Sequence, residues 1–121
     1  MSIPIGTLYS TERLTLKLVT NSDFETSYYV YLKTSNCMIG EVTIMHVISQ
    51  IWYRIDSSFW NKGYATEAVA KVLDVTENKD ELYLDIQRTN SSSIQVAKKL
   101  GFILSSSDAT YYQFRLPNNA I

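Results

Sequence analysis

The segment Ser58-Phe59-Trp60-Asn61-Lys62-Gly63-Tyr64-Ala65-Thr66-Glu67-Ala68 decides the fold, because it joins a strand to the start of an amphipathic helix. Ala65, Ala68, Val69, Val72 and Leu73 fall at i, i+3, i+4, i+7 and i+8, which predicts a helix from 64 to about 77 with one buried stripe. The backbone N–H groups of its first turn have no partner within the helix, and the macrodipole favours negative charge there. A diphosphate is the kind of ligand that main-chain donors at such a turn hold. Gly63 admits a close backbone approach and the small Ala65 keeps it open; the plainer reading is that Gly63 only turns the chain. The turn by itself does not tell one phosphate ligand from another.

Upstream, Leu14, Leu16 and Leu18 alternate with Thr15 and Lys17, the period of a half-buried strand over 13–19. Thr20 to Asp23 offers a turn or one helical turn at most before the Tyr28-Tyr29-Val30-Tyr31-Leu32 run, which reads as a strand. Thr34-Ser35-Asn36 marks a hairpin, and 38–47 and 50–56 read as antiparallel strands. Downstream, Asn78-Lys79-Asp80 closes the helix, and Leu82, Leu84 and Ile86 alternate in a strand that ends at Arg88-Thr89-Asn90. A second helix follows from about Ser91 to Leu100, with Asn90 or Ser91 as cap, Lys98 and Lys99 against its negative end and Gly101 just beyond. Residues 102–104 and 111–116 make a last hairpin. The expected fold class is α+β, or mixed α/β: a mostly antiparallel sheet with a crossover helix and a second helix, in a single domain over 1–121.

Composition narrows the function classes. A chain of 121 residues, 45% hydrophobic and 12% aromatic, has a sizeable core available to it. Eleven basic and twelve acidic residues give a net charge of -1 without long runs of either sign, which disfavours nucleic acid as a partner. The apolar stretches are too short for a bilayer, and the opening Met1-Ser2-Ile3-Pro4-Ile5-Gly6 lacks the pattern of a signal peptide, so the expectation is a cytoplasmic protein without membrane contact. Cys37 is the only cysteine and His46 the only histidine, which argues against a disulfide, a zinc site or a Ser-His-Asp triad within the chain.

The stretch from Trp60 to Val69 closely resembles the acetyl-CoA motif of the GNAT superfamily of N-acetyltransferases, in the branch typified by ribosomal-protein N-terminal acetyltransferases. Thr11-Glu12-Arg13-Leu14 through Asp23 is similar to that branch's opening strand, and Met38-Ile39-Gly40 to Ile44 to its third strand. The run from Asn90 to Phe102 resembles its second coenzyme A motif. The resemblance implies acetyl-CoA as cosubstrate, no metal, and an amine acceptor: a protein N-terminus, a peptide or a small molecule. It places the cofactor against Ile55, Asp56, Lys62, Gly63, Tyr64, Ala65, Thr66, Asn90 and Ser93, with the thioester carbonyl polarised by backbone amides of the Arg54 to Asp56 stretch. Lys62 is a phosphate contact or merely exposed, and Asn90 a cofactor contact, a helix cap, or both.

Amide formation also needs a donor for the leaving thiolate and a base for the amine. Many relatives carry a Tyr four residues before the Gly101 position, where this chain has Ala97; Ser93 is the nearest family-consistent donor, or else an ordinary first-turn residue. Glu41 and Asp85 are the candidate bases, since strands beside a cleft project alternate residues into it. Two departures stand out. Trp60 replaces the Arg or Gln usual three residues before Gly63, and only Asn21 to Ser27 stand where the family inserts two helices that wall the acceptor site. That gap supports two expectations: a homodimer through the exposed Tyr28, Tyr29 and Tyr31, and, as the alternative function, a catalytically silent coenzyme A-binding or interaction protein.

Overall fold

The alternation that begins at Leu14 sets the first long strand of the sheet, and Leu14, Leu16 and Leu18 are all buried. The computed structural model describes residues 3–117. One sheet contains β1 (Leu8–Ser10), β2 (Leu14–Asn21), β3 (Glu25–Leu32), β4 (Met38–Met45), β5 (Gln50–Ile55), β6 (Tyr83–Gln87), β7 (Ile103–Ser107) and β8 (Tyr111–Arg115). Its order is β1-β2-β3-β4-β5-β6-β8-β7. The helices are α1 (Tyr64–Asp74) and α2 (Ser91–Lys99). Neighbouring strands are antiparallel except β5 and β6, which run parallel because α1 crosses over between them. This is the expected mixed architecture.

Ala68, Val69, Val72 and Leu73 of α1 and Ala97 of α2 meet Leu14, Leu16, Val30, Val42, Ile51 and Leu84 in one core, so both helices cover the same face of the sheet. Each large aliphatic so buried contributes about 1.5–3 kcal/mol. The opposite face carries Lys17, Tyr29, Glu41 and Arg54 in one row across β2 to β5, with Ser27, Thr43 and Trp52 in the next.

Several local expectations are corrected. The strand β1 was not anticipated, because it spans three residues and leaves Leu8 exposed. Between β2 and β3 the structure takes the turn, and not the helical turn, of the two that Thr20 to Asp23 offers. The chain reverses in a tight turn in which the Ser22 N–H donates to the Glu25 carbonyl at 2.9 Å and the Ser22 hydroxyl accepts from the Phe24 and Glu25 amides. β4 stops at Met45, and His46–Ile48 form a short 3-10 turn ended by Ser49 at a φ of 53°. α1 ends at Asp74, where the Thr76 hydroxyl takes the Val72 carbonyl.

The three tyrosines do not share a surface. Tyr28 is buried edge-on against Tyr9, with ring centres 6.0 Å apart, while Tyr29 and Tyr31 sit half-buried on the opposite face. That face is polar around them, with Lys17 and Glu41 directly beside Tyr29, so a broad apolar patch is not left there. Four exposed apolar side chains, Phe24, Met45, Val47 and Ile48, lie instead where the Phe24 carbonyl accepts from the His46 amide.

Gly40 fixes how closely β4 and β5 approach. A Cβ there would run into the Arg54 carbonyl oxygen and lie 3.0 Å from the Ile55 Cα, both backbone atoms of the neighbouring strand. Gly→Ala normally stabilises through the unfolded chain by about 0.4–1 kcal/mol, but overpacking costs about 1–3 kcal/mol. The clash therefore wins, and Gly40→Ala is expected to lower the melting temperature; an unchanged or higher value would refute the tight approach.

Candidate functional site

Two strands that should be neighbours separate. β5 and β6 pair only at Gln50 and Tyr83, after which β5 stays with β4 and β6 with β8. The wedge between them opens toward the start of α1. Along β5, the Asp56 amide donates to the Ile39 carbonyl at 2.7 Å, so ladder alternation turns the Arg54 amide toward β4 as well. The Tyr53 and Ile55 amides face the other way, into the wedge. Of the stretch expected to polarise a carbonyl, Ile55 thus has a free amide, and Asp56 has spent its own.

The start of α1 forms the other wall. Asn61 and Gly63 take left-handed conformations, with φ of 62° and 81°, and Gly63 is the cap residue with no side chain covering the helix end. The first intrahelical bond is Glu67 N–H to Gly63 O, 3.1 Å, so the Tyr64, Ala65 and Thr66 amides have no partner within the helix. α2 is the contrast. There the Asn90 side-chain oxygen accepts from the Ser93 amide and the Ser92 hydroxyl and closes the end. Open donors at one helix and closed donors at the other single out α1 for an anion.

A cleft of about 690 Å³ fills the wedge, and its lining includes Tyr53, Ile55, Gly63 to Thr66, Asn90, Ser93 and Lys99. The cofactor residues read from the sequence converge here except Asp56 and Lys62, which do not line it. Asp56 instead pairs with Arg54. Glu41 lies outside the lining, 4.0 Å from the Arg54 guanidinium on the helix-free face. Asp85 is also elsewhere: it accepts from the Gln50 and Gln113 side chains and opens on a separate polar hollow of about 330 Å³ beside Asp108 and Tyr111. Ala97 is fully buried, so a methyl group stands where many relatives offer a hydroxyl.

Three contributors were not legible from local pattern. Trp60 donates its indole N–H to the Ile55 carbonyl at 2.6 Å, tying the loop before Gly63 to the end of β5. Arg13 reaches from β2's approach to the same loop: Nη1 donates to the Lys62 carbonyl at 2.8 Å, Nε to Glu67 at 2.7 Å, and its guanidinium lies 4.4 Å over the Tyr64 ring. Tyr53, on the same face of β5 as the buried Ile51 and Ile55, lines the cleft between them and α2.

Glu67 anchors this corner. Burial pushes its carboxyl up, but hydrogen bonds from the Thr11 hydroxyl, the Arg13 amide and the Arg13 side chain, with the arginine charge, more than reverse that and hold it below its ordinary 4.5.

The sequence profile described as an Acetyltransferase (GNAT) domain matches residues 9–103. The chain belongs to the GNAT acetyltransferase family. Acetyl-CoA is the cosubstrate of this family, and the open α1 terminus with its adjoining wedge fits the diphosphate and the extended arm of such a ligand. No curated protein sequence matches the chain. Solved structures share the fold: an acetyltransferase from Agrobacterium tumefaciens is 20% identical with a TM-score of 0.75, covering 98% of this chain and 96% of its own. A ribosomal-protein-S5-alanine acetyltransferase from Vibrio fischeri is 13% identical with a TM-score of 0.75, covering 93% and 97%. RimL, a ribosomal L7/L12 alpha-N-protein acetyltransferase in complex with coenzyme A, is 17% identical with a TM-score of 0.59, covering 75% and 59%. Among the described residues no helix is long and apolar enough to cross a membrane, and no group of three or more His, Cys, Asp or Glu is placed to hold a metal ion.

The lowered Glu67 pKa fixes a pH signature. A carboxyl depressed on folding contributes stability above its unfolded value, and that contribution is lost as pH falls through the folded value. Acid unfolding of the wild type should therefore steepen below about pH 4.5, and Glu67→Gln should flatten this limb while lowering stability at pH 7. Identical acid limbs would remove Glu67 from the anchor.

Proposed function

We propose that the chain is an N-acetyltransferase that moves the acetyl group of acetyl-CoA to an amine, akin to the ribosomal-protein N-terminal acetyltransferase branch. The observation that carries this reading is the uncapped α1 terminus at Gly63 facing a wedge whose β5 edge keeps free amides. In this reading the Tyr64, Ala65 and Thr66 amides take the pyrophosphate, Lys99 supplies positive charge at the rim, and Asn90 flanks the arm. The Ile55 amide polarises the thioester carbonyl. A thiol with a reference pKa of about 8.5 leaves with modest help, which the half-buried Ser93 hydroxyl supplies as donor.

The acceptor enters from the helix-free face. Of the two candidate bases Glu41 is the better placed, because its neighbour Arg54 lines the cleft, whereas Asp85 is held by two side-chain amides in another hollow. A homodimer that places one subunit's residues against the other's open acceptor side extends this reading, with Tyr29 and Tyr31 on the face involved. The exposed Cys37 suits a reducing, cytoplasmic setting. The second reading is a coenzyme A-binding protein without turnover, favoured by the buried Ala97 methyl and by the tight Ser22 to Glu25 turn in place of an acceptor wall.

Both readings predict that coenzyme A raises the melting temperature by mass action. Gly63→Asp should abolish that rise, because a carboxylate would crowd and repel the pyrophosphate. A folded wild type unmoved by millimolar coenzyme A would end both readings. Thiol release from acetyl-CoA against amines, peptides and aminoglycosides then separates them: the first expects turnover, lowered ten- to hundredfold by Ser93→Ala with KM for acetyl-CoA little changed. For assembly, light scattering should give about twice the 13.8 kDa chain mass. A clean monomer would remove the dimer.

A further inference from the structure

Arg13 grips both sides of the turn before α1 from outside the cleft. Its Nη1 donates to the Lys62 carbonyl at 2.8 Å and its Nε to Glu67 Oε1 at 2.7 Å, while its guanidinium covers the Tyr64 ring. Gly63, Tyr64, Ala65 and Thr66 line the cleft, and Arg13 does not. The clamp therefore works from behind the helix end. The Lys62–Gly63 peptide is trans, so its carbonyl and its N–H point in opposite directions. With the carbonyl drawn to Arg13, the Gly63 N–H is turned away from it, and that amide has no acceptor among the described residues. Charge is the second effect. Glu67 sits in the first turn of α1, where its carboxylate would repel an anion at the same helix end, and the Arg13 guanidinium lies against it and cancels that charge.

We infer that Arg13 is a positioning residue for acetyl-CoA, which sets the affinity for the diphosphate without contacting it, by aiming the Lys62–Gly63 peptide and by cancelling the Glu67 charge. This rests on the acetyl-CoA reading above and deepens it at the anionic end of the ligand. A pair that only held the fold would behave differently on mutation. Losing either partner would then harm the protein alike, and losing both would be no better than losing one. For a counterion, losing Arg13 alone leaves a bare carboxylate near the diphosphate, and losing Glu67 as well removes the repulsion. Like charges several ångströms apart near a protein surface interact strongly enough to change affinity by roughly tenfold, and salt screens the effect.

The test titrates two ligands into the wild type, Arg13→Gln, Glu67→Gln and the double variant. One is coenzyme A; the other is dephospho-coenzyme A, which keeps the diphosphate and lacks the 3′-phosphate. Arg13→Gln should weaken both ligands by roughly tenfold in low salt and by less in about 0.5 M salt. Glu67→Gln should bind within about twofold of the wild type or tighter, and adding it to Arg13→Gln should restore about threefold or more of the loss. Where turnover is measured, KM for acetyl-CoA should follow the same order with kcat within about twofold. Unchanged affinity in Arg13→Gln, or a double variant no tighter than Arg13→Gln, overturns the inference and leaves the acetyl-CoA reading standing. A loss confined to coenzyme A would make Arg13 a direct ligand of the 3′-phosphate and overturns it as well. Should Arg13→Gln not fold, Arg13→Lys carries the test, since it keeps the charge without the fork. Its affinity for both ligands should fall by about threefold or more with the salt dependence of the wild type kept, and wild-type affinity there overturns the inference. A wild type that binds neither ligand overturns the reading and this inference together.

Discussion

The position of the turn before α1 depends on one carboxylate. Glu67 lies in the first turn of α1, where a negative charge suits the helix dipole but would also oppose an anionic ligand at the same end. Arg13 resolves the conflict by neutralising it in place. The same guanidinium then holds the Lys62 carbonyl and covers the Tyr64 ring, so a single side chain fixes both the helix and the loop that precedes it. Gly63 permits this. A Cβ there would sit 3.3 Å from Arg13 Nη2 and would demand a left-handed φ of a residue that resists it, so the glycine serves the clamp as well as the turn. As an exposed ion pair the contact would stabilise little; its consequence is geometric, because the carboxylate accepts three hydrogen bonds from a segment about fifty positions earlier.

From that anchored corner the wedge follows as a matter of hydrogen-bond accounting. A strand in the middle of a sheet normally spends its amides on both neighbours, and β5 spends them on β4 alone beyond Gln50. Its remaining donors are directed into a cleft rather than to β6, and the Ile55 carbonyl is satisfied by the Trp60 indole instead of by a strand. Trp60 therefore explains the first departure from the family pattern. It acts on the protein, stapling the loop to the strand end, and the open main-chain amides at the start of α1 do not depend on which side chain stands at position 60.

Period and caps made the core legible in advance: the leucines of β2, the buried stripe of α1, and Asn90 and Gly101 at the two ends of α2 all lie where local spacing places them. The turn at Gly63 and the start of α1 are legible for the same reason, since their residues are contiguous. What escaped is what sequence spacing does not encode. Arg13 and Glu67 meet across a crossover, Tyr53 acquires its environment only when α2 packs beside β5, and Asp56 was assigned a free amide that the β4 register had already used. β1 is too short to show a period, although its partner is the next strand, β2, in the register Leu8↔Lys17 to Ser10↔Thr15.

The tight turn between β2 and β3 was expected to leave an apolar wound, and the side chains of the helix-free face give the physical reason it does not. Alternation sends Leu14, Leu16, Leu18, Tyr28 and Val30 toward the helices, so the residues left outward on the same strands are Thr15, Lys17, Ser27, Tyr29 and Tyr31. A face built of lysine, glutamate, arginine and hydroxyl groups tolerates water without a covering layer. The sheet and its two helices thus form two layers whose outward face on these strands is polar. On the proposed acetyl-transfer reading, what orients an acceptor comes from the Glu41 and Arg54 row or from outside the chain, because only a turn closed by the Ser22 hydroxyl joins β2 and β3.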